Sequence, residues 1–276
     1  MLAALAVSVL LDALLGEPAW LYAAVPHPVV AIGRLIEALE RLLLRAEQSP
    51  GRKRLAGTVL VLLIVGAAVA MGLALHALAR ALPWGWLLEG ALMSTLLAWK
   101  SLVQHVRAVA EGLTQGLAEG RRAVAMIVGR DPESLDEPAV ARAAIESLAE
   151  NLSDGVVAPL LWGALLGLPG MLAYKAVNTL DSMGGHKSER YRDFGRASAR
   201  LDDLVNLVPA RATGLAIAAA APFVNEDALA AWAAMRRDAP RHRSPNAGWP
   251  EAAMAAALGL ALFVVQGVRA VALMRP

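Results

Sequence analysis

The segment Leu55–Ala79 reads LAGTVLVLLIVGAAVAMGLALHALA, 25 consecutive residues without Asp, Glu, Lys or Arg. About 20 predominantly apolar residues carry a helix across the hydrocarbon core of a bilayer. A helix that is apolar all round has no face to offer water, so it belongs in lipid or deep in a large core. Its flank favours lipid. Gly-Arg-Lys-Arg precedes it at 51–54, with Arg41 and Arg45 upstream. Such a cationic end stays in the cytoplasm.

The other apolar runs carry interruptions. Leu2–Gly16 contains Asp12 and lacks a basic leader, so it does not have the form of a signal peptide. Ala81–Trp99 carries only Glu89 and has the length to return the chain across the membrane. Ala252–Val268 is uncharged and reads as a spanning or interfacial helix. Val156–Tyr174 is uncharged but contains Pro159 and Leu-Pro-Gly at 168–170. Proline removes a backbone donor and disfavours helix in the residue before it. This run therefore predicts two short helices in a hairpin, with both flanks on one side. Leu204–Val224 contains Pro209, Arg211 and Gly214, which leave its crossing open; polar islands on one side of the membrane would require it to turn back or stay buried without crossing. No segment alternates as a strand would.

Composition supports one membrane-embedded domain over residues 1–276. The chain is 57% hydrophobic and 18% charged, against about 25% charged in a soluble domain. No Pro/Ser/Gly-rich linker divides it. Net charge is +2, which supplies no basic stripe for nucleic acid. The absence of cysteine excludes disulfides and thiolate metal sites. The predicted class is all-α: a polytopic helical membrane protein with broken or re-entrant helices and polar motifs on the cytoplasmic side. Oligomeric state is not legible.

Four polar islands border the apolar helices. In ARAAIESLAENLSDGVVAP, Glu146, Glu150 and Asp154 are spaced i, i+4, i+8. On a helix they form one row, and like charges at that spacing repel. A cation would relieve the row, and carboxylate oxygens suit Mg²⁺. The same residues also fit a solvated helix end stopping at Gly155. In NTLDSMGGHKSERYRDFGRASARLDD, ten of the 23 residues from Asp181 to Asp203 are charged. Its paired glycines permit close backbone approach to a ligand, and its Lys and Arg suit phosphate or carboxylate groups. It lacks the spacing of a Walker loop. A juxtamembrane run of mutually paired charges would look the same. The third island joins Asp12, expensive in an apolar run unless partnered, to His27 between two prolines and to Gly33-Arg34. The fourth, RHRSPNAGWPEAAM at 241–254, is a rigid loop before a helix. A shared pocket at the membrane face is the economical account of all four.

At these motifs the sequence resembles the CobD/CbiB family, the adenosylcobinamide-phosphate synthases of cobalamin biosynthesis. LLDALLGEPAW, HPVVAIGRLI, ESLAENLSDGVVAPL, AVNTLDSMGGHKSERYRDFGRASARLDDLVNLVPAR and HRSPNAGWPEAAM carry the likeness, in order, over nearly the whole chain. The resemblance implies an integral membrane ligase. It would join the carboxylate of adenosylcobyric acid to the amine of (R)-1-aminopropan-2-ol or its O-phosphate, with ATP as co-substrate and Mg²⁺ as cofactor. It marks positions without telling acid from ligand: Glu150, Asp181, His186 and Lys187 are the catalytic candidates, and Glu146, Glu150, Asp154, Asp181, Asp202 and Asp203 the metal candidates. It marks His27, Arg34, Asn151, Asn178, Arg190, Arg192, Arg196, Arg200, His242 and Asn246 for substrate and phosphate. The implied partners are the corrinoid, aminopropanol phosphate and membrane lipid, at the cell's inner membrane. One departure stands out. Many relatives continue after this last motif with a Gly/Tyr-rich polar stretch, where here ALGLALFVVQGVRAVALMRP follows directly. A transporter, or a catalytically silent sensor of the same fold, is the competing reading, because broken helices with intramembrane charge are typical of transporters.

Overall fold

A computed structural model describes residues 1–129, 131–184 and 191–259. Every regular element among them is helical. In chain order these are α1 (Leu2–Leu15), α2 (Ala19–Ala24), α3 (Pro28–Leu43), α4 (Pro50–Arg80), α5 (Gly85–Ser94), α6 (Trp99–Gln115), α7 (Leu117–Val124), α8 (Glu137–Leu152), α9 (Ala158–Gly184), α10 (Arg196–Val205), α11 (Leu207–Ala220), α12 (Ala228–Asp238) and α13 (Gly248–Ala257). A π turn, Ser153–Val157, joins α8 to α9. The contacts divide the chain into two compact units interleaved in sequence. Unit 1 is Met1–Lys100 with Ala158–Asn206, and unit 2 is Ser101–Val157 with the residues from Leu207 on.

Three helical stretches are long and apolar enough to cross a membrane: Pro50–Arg80, Glu137–Gly184 and Leu207–Val224. A fourth arises if Leu2–Leu15 and Trp20–Leu43, bent at 96°, act as one. The all-α membrane class is therefore borne out. In unit 1, α4 buries Leu60, Val61 and Ile64 against Ile36, Ala176, Leu180 and Phe194. Its outer face leaves Leu62, Met71, Leu73 and Leu78 exposed. So large an apolar surface would be unfavourable in water and is the natural solvent contact in lipid.

The hairpin expected over 156–174 forms inside α9. Gly167 has φ 68° and ψ −159°, a conformation open to glycine and strained for other residues. Two residues on, Pro169 withholds an N–H. The fold-back is visible at Gly170, where an added Cβ would lie 2.7 Å from the carbonyl oxygen of Trp162. Eight residues of straight helix would separate them by about 12 Å. Glycines make the return close-packed: Gly163 faces Met171, and Gly72 of α4 lies against the backbone of Pro169. Beside the break, His76 Nδ1 and Glu89 Oε1 pair at 2.8 Å, so neither charge-bearing group of this apolar region is left alone.

Asp12 also finds the partner its position demands. Its Oδ2 accepts from the backbone N–H of Trp99 at 3.0 Å, and Lys100 Nζ donates to Leu14 O at 2.6 Å. Two expectations are corrected. Ala81–Trp99 is no spanning helix: Trp84 takes a left-handed φ of 59°, and only the ten residues of α5 follow. Ten residues reach about 15 Å, half the hydrocarbon thickness. The helix bearing Glu146 does not stop at Gly155 but continues through the π turn. Of Ala252–Val268, residues 260–268 lie outside the described residues, and the helix at its start, α13, begins earlier at Gly248.

In unit 2, α8 is capped by Asp136, whose Oδ1 accepts from Ala139 N at 2.8 Å. Its apolar face packs Val140, Ala143 and Ala144 on Val109 and Val124. Ile217, Ala231, Met235 and Ala253 form a second core from α11, α12 and α13.

The fold-back carries a direct test. Gly170→Ala forces a methyl against Leu166 and the Trp162 carbonyl. It is expected to cost about 1–3 kcal/mol in thermal unfolding of the detergent-solubilised protein. Gly66→Ala, with open space around the new methyl, should be neutral or slightly stabilising.

Candidate functional site

The second half of α9 carries Tyr174, Asn178 and Asp181 at i, i+4 and i+7, which places them on one face. Helix α10 packs against α9. It brings Asp202 to that face, with Asn206 one turn further on. Tyr174 OH donates to Asn206 Oδ1 at 2.9 Å, and Asn206 Nδ2 donates to Asp202 Oδ2 at 3.0 Å. Tyr174 is 3% exposed and Asn206 1%, so the Tyr174–Asn206 bond is sealed from water, while Asp202 at the end of the relay is partly buried. Asp202 Oδ1 is buried and, among the described residues, meets no hydrogen-bond partner.

Burial and the neighbouring carboxylate of Asp181, with Asp203 adding to them, push the Asp202 carboxyl up to about 7; bonds from Asn206 and Asn178 oppose the rise. A buried carboxylate with one oxygen unmet, next to two more carboxylates, is a place built to receive a cation or a proton. Among the described residues no three His, Asp or Glu side chains already converge as a metal cage. Mg²⁺ does not require one, because it is usually held by one or two carboxylates, several waters and substrate phosphates. Asp181, Asp202 and Asp203 fit such an ion by donor type and by the unmet Oδ1.

The charged segment is tied down at its C-terminal base. Arg54 of α4 donates to Asp193 Oδ1 at 2.7 Å, and Tyr191 OH donates to Glu40 Oε1 at 2.9 Å. Gly195 touches the Gly184 carbonyl and Gly57 touches that of Phe194, each so closely that a Cβ would collide. The ends of the intervening stretch are thus pinched together. Arg192, Arg196 and Arg200 are exposed. His186, Lys187 and Arg190 lie outside the described residues.

His27 caps α3: its Nδ1 accepts from Val29 N at 3.2 Å. The Tyr22 ring lies 4.6 Å away, tilted by 52°. Its Nε2 is buried without a hydrogen-bond partner among the described residues. The charged groups that bear on it are Glu17 and Lys175. Arg34, on the same helix, is exposed.

Unit 2 holds the other two islands. Glu146 and Glu150 are one turn apart on α8, while Asp154 falls in the π turn, where α-helical spacing no longer sets its direction. Short π segments inside helices recur at functional positions. Asn151 Nδ2 donates to Ser147 O at 2.8 Å. His242 Nε2 lies 3.6 Å from Glu251 Oε2, Asn246 is buried, and Arg211 stacks over Trp249 at 4.5 Å. The four islands therefore pair within units: the His27 and Asp181–Asp203 islands in unit 1, and the Glu146 and His242 islands in unit 2.

A profile for the CobD/Cbib protein family matches residues 5–265. The chain belongs to the CobD/CbiB family. It is 55% identical over 263 residues to a cobalamin biosynthesis protein CobD from a Sinorhizobium sp, covering 94% of this chain and 81% of that one. The protein of the same name from Rhodobacter capsulatus is 52% identical over 267 residues, with the same two shares. That from Brucella anthropi is 51% identical over 266 residues, covering 94% and 80%. No solved structure matches. Family membership supports a role in cobalamin biosynthesis.

Sequence reasoning missed Tyr174, Asn206, Lys175 and Glu17. Asn206 sits at i+4 from Asp202, a readable helical spacing, but its other partner is 32 residues away.

The raised carboxyl sets a pH test. Asp202 has an ordinary value of 3.8 and a folded value of about 7, so the fold favours its protonated form. That contribution is complete below pH 4 and is lost as pH rises through about 7. Asp202→Asn removes the loss. Its stability advantage over wild type should grow between pH 5 and pH 8, to on the order of 2 kcal/mol after discounting partial exposure. Thermal midpoints in detergent at the two pH values measure it.

Proposed function

We propose that this chain forms an amide bond, joining the free propionate carboxylate of adenosylcobyric acid to the amine of (R)-1-aminopropan-2-ol or its O-phosphate. The products are adenosylcobinamide or its phosphate, ADP and inorganic phosphate. The observation that carries the proposal is the Tyr174–Asn206–Asp202 relay ending in an unmet carboxylate oxygen beside Asp181. It lies in a chain whose relatives are named for cobalamin biosynthesis.

A carboxylate does not condense with an amine unaided in water. Transfer of the ATP γ-phosphoryl group to the carboxylate gives an acyl phosphate and ADP. The amine nitrogen then attacks the acyl carbon, phosphate leaves with the C–O bonding pair, and nitrogen gives up a proton. In this scheme Asp181, Asp202 and Asp203 would hold Mg²⁺. Bound there, the ion supplies charge neutralisation for phosphate oxygens. Arg192, Arg196 and Arg200 meet phosphate or carboxylate groups. A carboxylate of the cluster, or His186, accepts the amine's proton.

The active face belongs on the cytoplasmic side of the inner membrane in this reading. Arg52, Lys53 and Arg54 open α4, and cationic flanks stay in the cytoplasm. Arg54 itself bonds Asp193, which ties the charged segment to that same end.

Purified protein in detergent, given adenosylcobyric acid, aminopropanol phosphate, ATP and Mg²⁺, should yield corrinoid amide and ADP in equal amounts. Product should vanish without ATP or Mg²⁺. Asp181→Ala should reduce turnover at least about 100-fold with the protein still in the membrane. Near-normal turnover in that variant would remove the cluster from the chemistry, and a transporter would make neither product.

A further inference from the structure

We propose that His27 is held as the neutral tautomer with its proton on Nε2, and that this N–H is a preset hydrogen-bond donor to an anionic oxygen of the bound substrates. The proposal deepens the amide-ligase reading and rests on it for its kinetic arm.

The tautomer follows from the cap. Nδ1 accepts the backbone N–H of Val29 at 3.2 Å, so its lone pair is in use and it carries no proton. In a neutral imidazole the proton is then on Nε2. A doubly protonated ring would turn an N–H toward the Val29 N–H. It would also add positive charge at the N-terminus of the 16-residue α3, where the helix dipole is already positive. Lys175 opposes that charge as well, while Glu17 favours it.

The ring is also fixed in direction. Pro26 and Pro28 flank it, Val29 holds one nitrogen and Tyr22 packs against its face. Yet the Nε2 that these constraints aim is buried and, among the described residues, meets no acceptor. An orphaned buried donor is unfavourable and is rare in native proteins. A ligand oxygen would satisfy it, and the positive charge of Lys175 that bears on the ring favours an anionic one. Lys175 lies on α9, three residues before Asn178. His27 is thereby linked to the helix carrying the Asp202 relay. A donor already oriented and shielded from water stabilises developing negative charge more than a mobile one does. The role excludes His27 as a proton acceptor at Nε2.

Two oxygens have the right chemistry: the acyl oxygen at the reacting carbon, and the phosphate of the aminoalcohol. His27→Asn separates donor from cap, because asparagine is among the best capping residues but is too short to place an N–H where Nε2 stands. The variant should unfold within about 2 °C of wild type. If the acyl oxygen is the acceptor, kcat should fall about 100-fold with both free and phosphorylated amine. If it is the phosphate, KM should rise for the phosphorylated amine alone. Unchanged kinetics with both amines overturns the proposal. Nitrogen-15 spectra of histidine-labelled protein at pH 7, with His27 assigned by its absence from the variant, read the tautomer independently. A proton on Nδ1, alone or with Nε2, overturns it. Should wild type make no product, the ligase reading fails. Inorganic phosphate titrated into labelled protein then decides for the donor: a shifted Nε2–H resonance sustains it and an unmoved one ends it.

Discussion

The packing of α4 against the folded-back α9 is the contact on which unit 1 depends. Two glycines of α4, 15 residues and therefore about 22 Å apart, make it possible. Gly72 admits the backbone of Pro169 at the turn of the hairpin, and Gly57 admits the carbonyl of Phe194 at the base of the charged segment. In lipid there is no hydrophobic gain from bringing two apolar helices together, so close backbone approach and dispersion must hold them. Small residues at the two contact points are the direct answer. Between them Leu60, Val61 and Ile64 interlock with Ala176 and Leu180. One helix thus sets the hairpin turn of α9 and, through Gly57 and the Arg54–Asp193 bond, the base of the polar segment beyond it.

That frame lets a buried polar relay persist. Tyr174, Asn206 and Asp202 would be a liability if any bond in the chain were loose, since an unmet polar group in a low dielectric is unfavourable in proportion to its burial. Two of the bonds are good, at 2.9 and 3.0 Å, and the strain is concentrated at the end, on Asp202 Oδ1. Concentrated strain of this kind fits a binding centre better than a structural one: a core built for stability alone would have no carboxylate there. The Asp202→Asn advantage expected above pH 7 and the activity expected to need the carboxylate pull in opposite directions, as they should at a site held ready for a ligand.

How much of this the sequence disclosed follows from distance along the chain. The Leu55–Ala79 span and the hairpin at 167–170 were legible, because an uncharged run and a Leu-Pro-Gly punctuation are local signals. The need for a partner at Asp12 was legible, but Trp99 as that partner was not: a backbone N–H 87 positions away leaves no mark in residue type. Asp181, Asp202 and Asp203 stood out by charge. Tyr174 and Asn206 did not, since each reads as an ordinary helical residue until the two are seen bonded. Two errors share a cause. Ala81–Trp99 had the composition of a span, and Gly155 had the look of a helix stop, but a left-handed Trp84 and a π turn are backbone choices that composition does not encode.

The interleaving of the units gives these polar bonds a further meaning. The chain leaves unit 1 after Lys100 and again after Asn206. Both exits are fixed on the unit 1 side by polar contacts: Trp99 by Asp12, and Asn206 by Tyr174 and Asp202. Apolar packing is non-directional and would let an exit slide by a residue along the helix surface. A hydrogen bond to one named atom does not. The remaining passage, into unit 1 at Ala158, comes straight from the π turn, which inserts length into a helix without breaking it. The residues that look misplaced in an apolar chain are thus the ones that set where the chain changes unit. Asn206 also orients Asp202, so the exit from unit 1 and the geometry of the acidic cluster share one side chain.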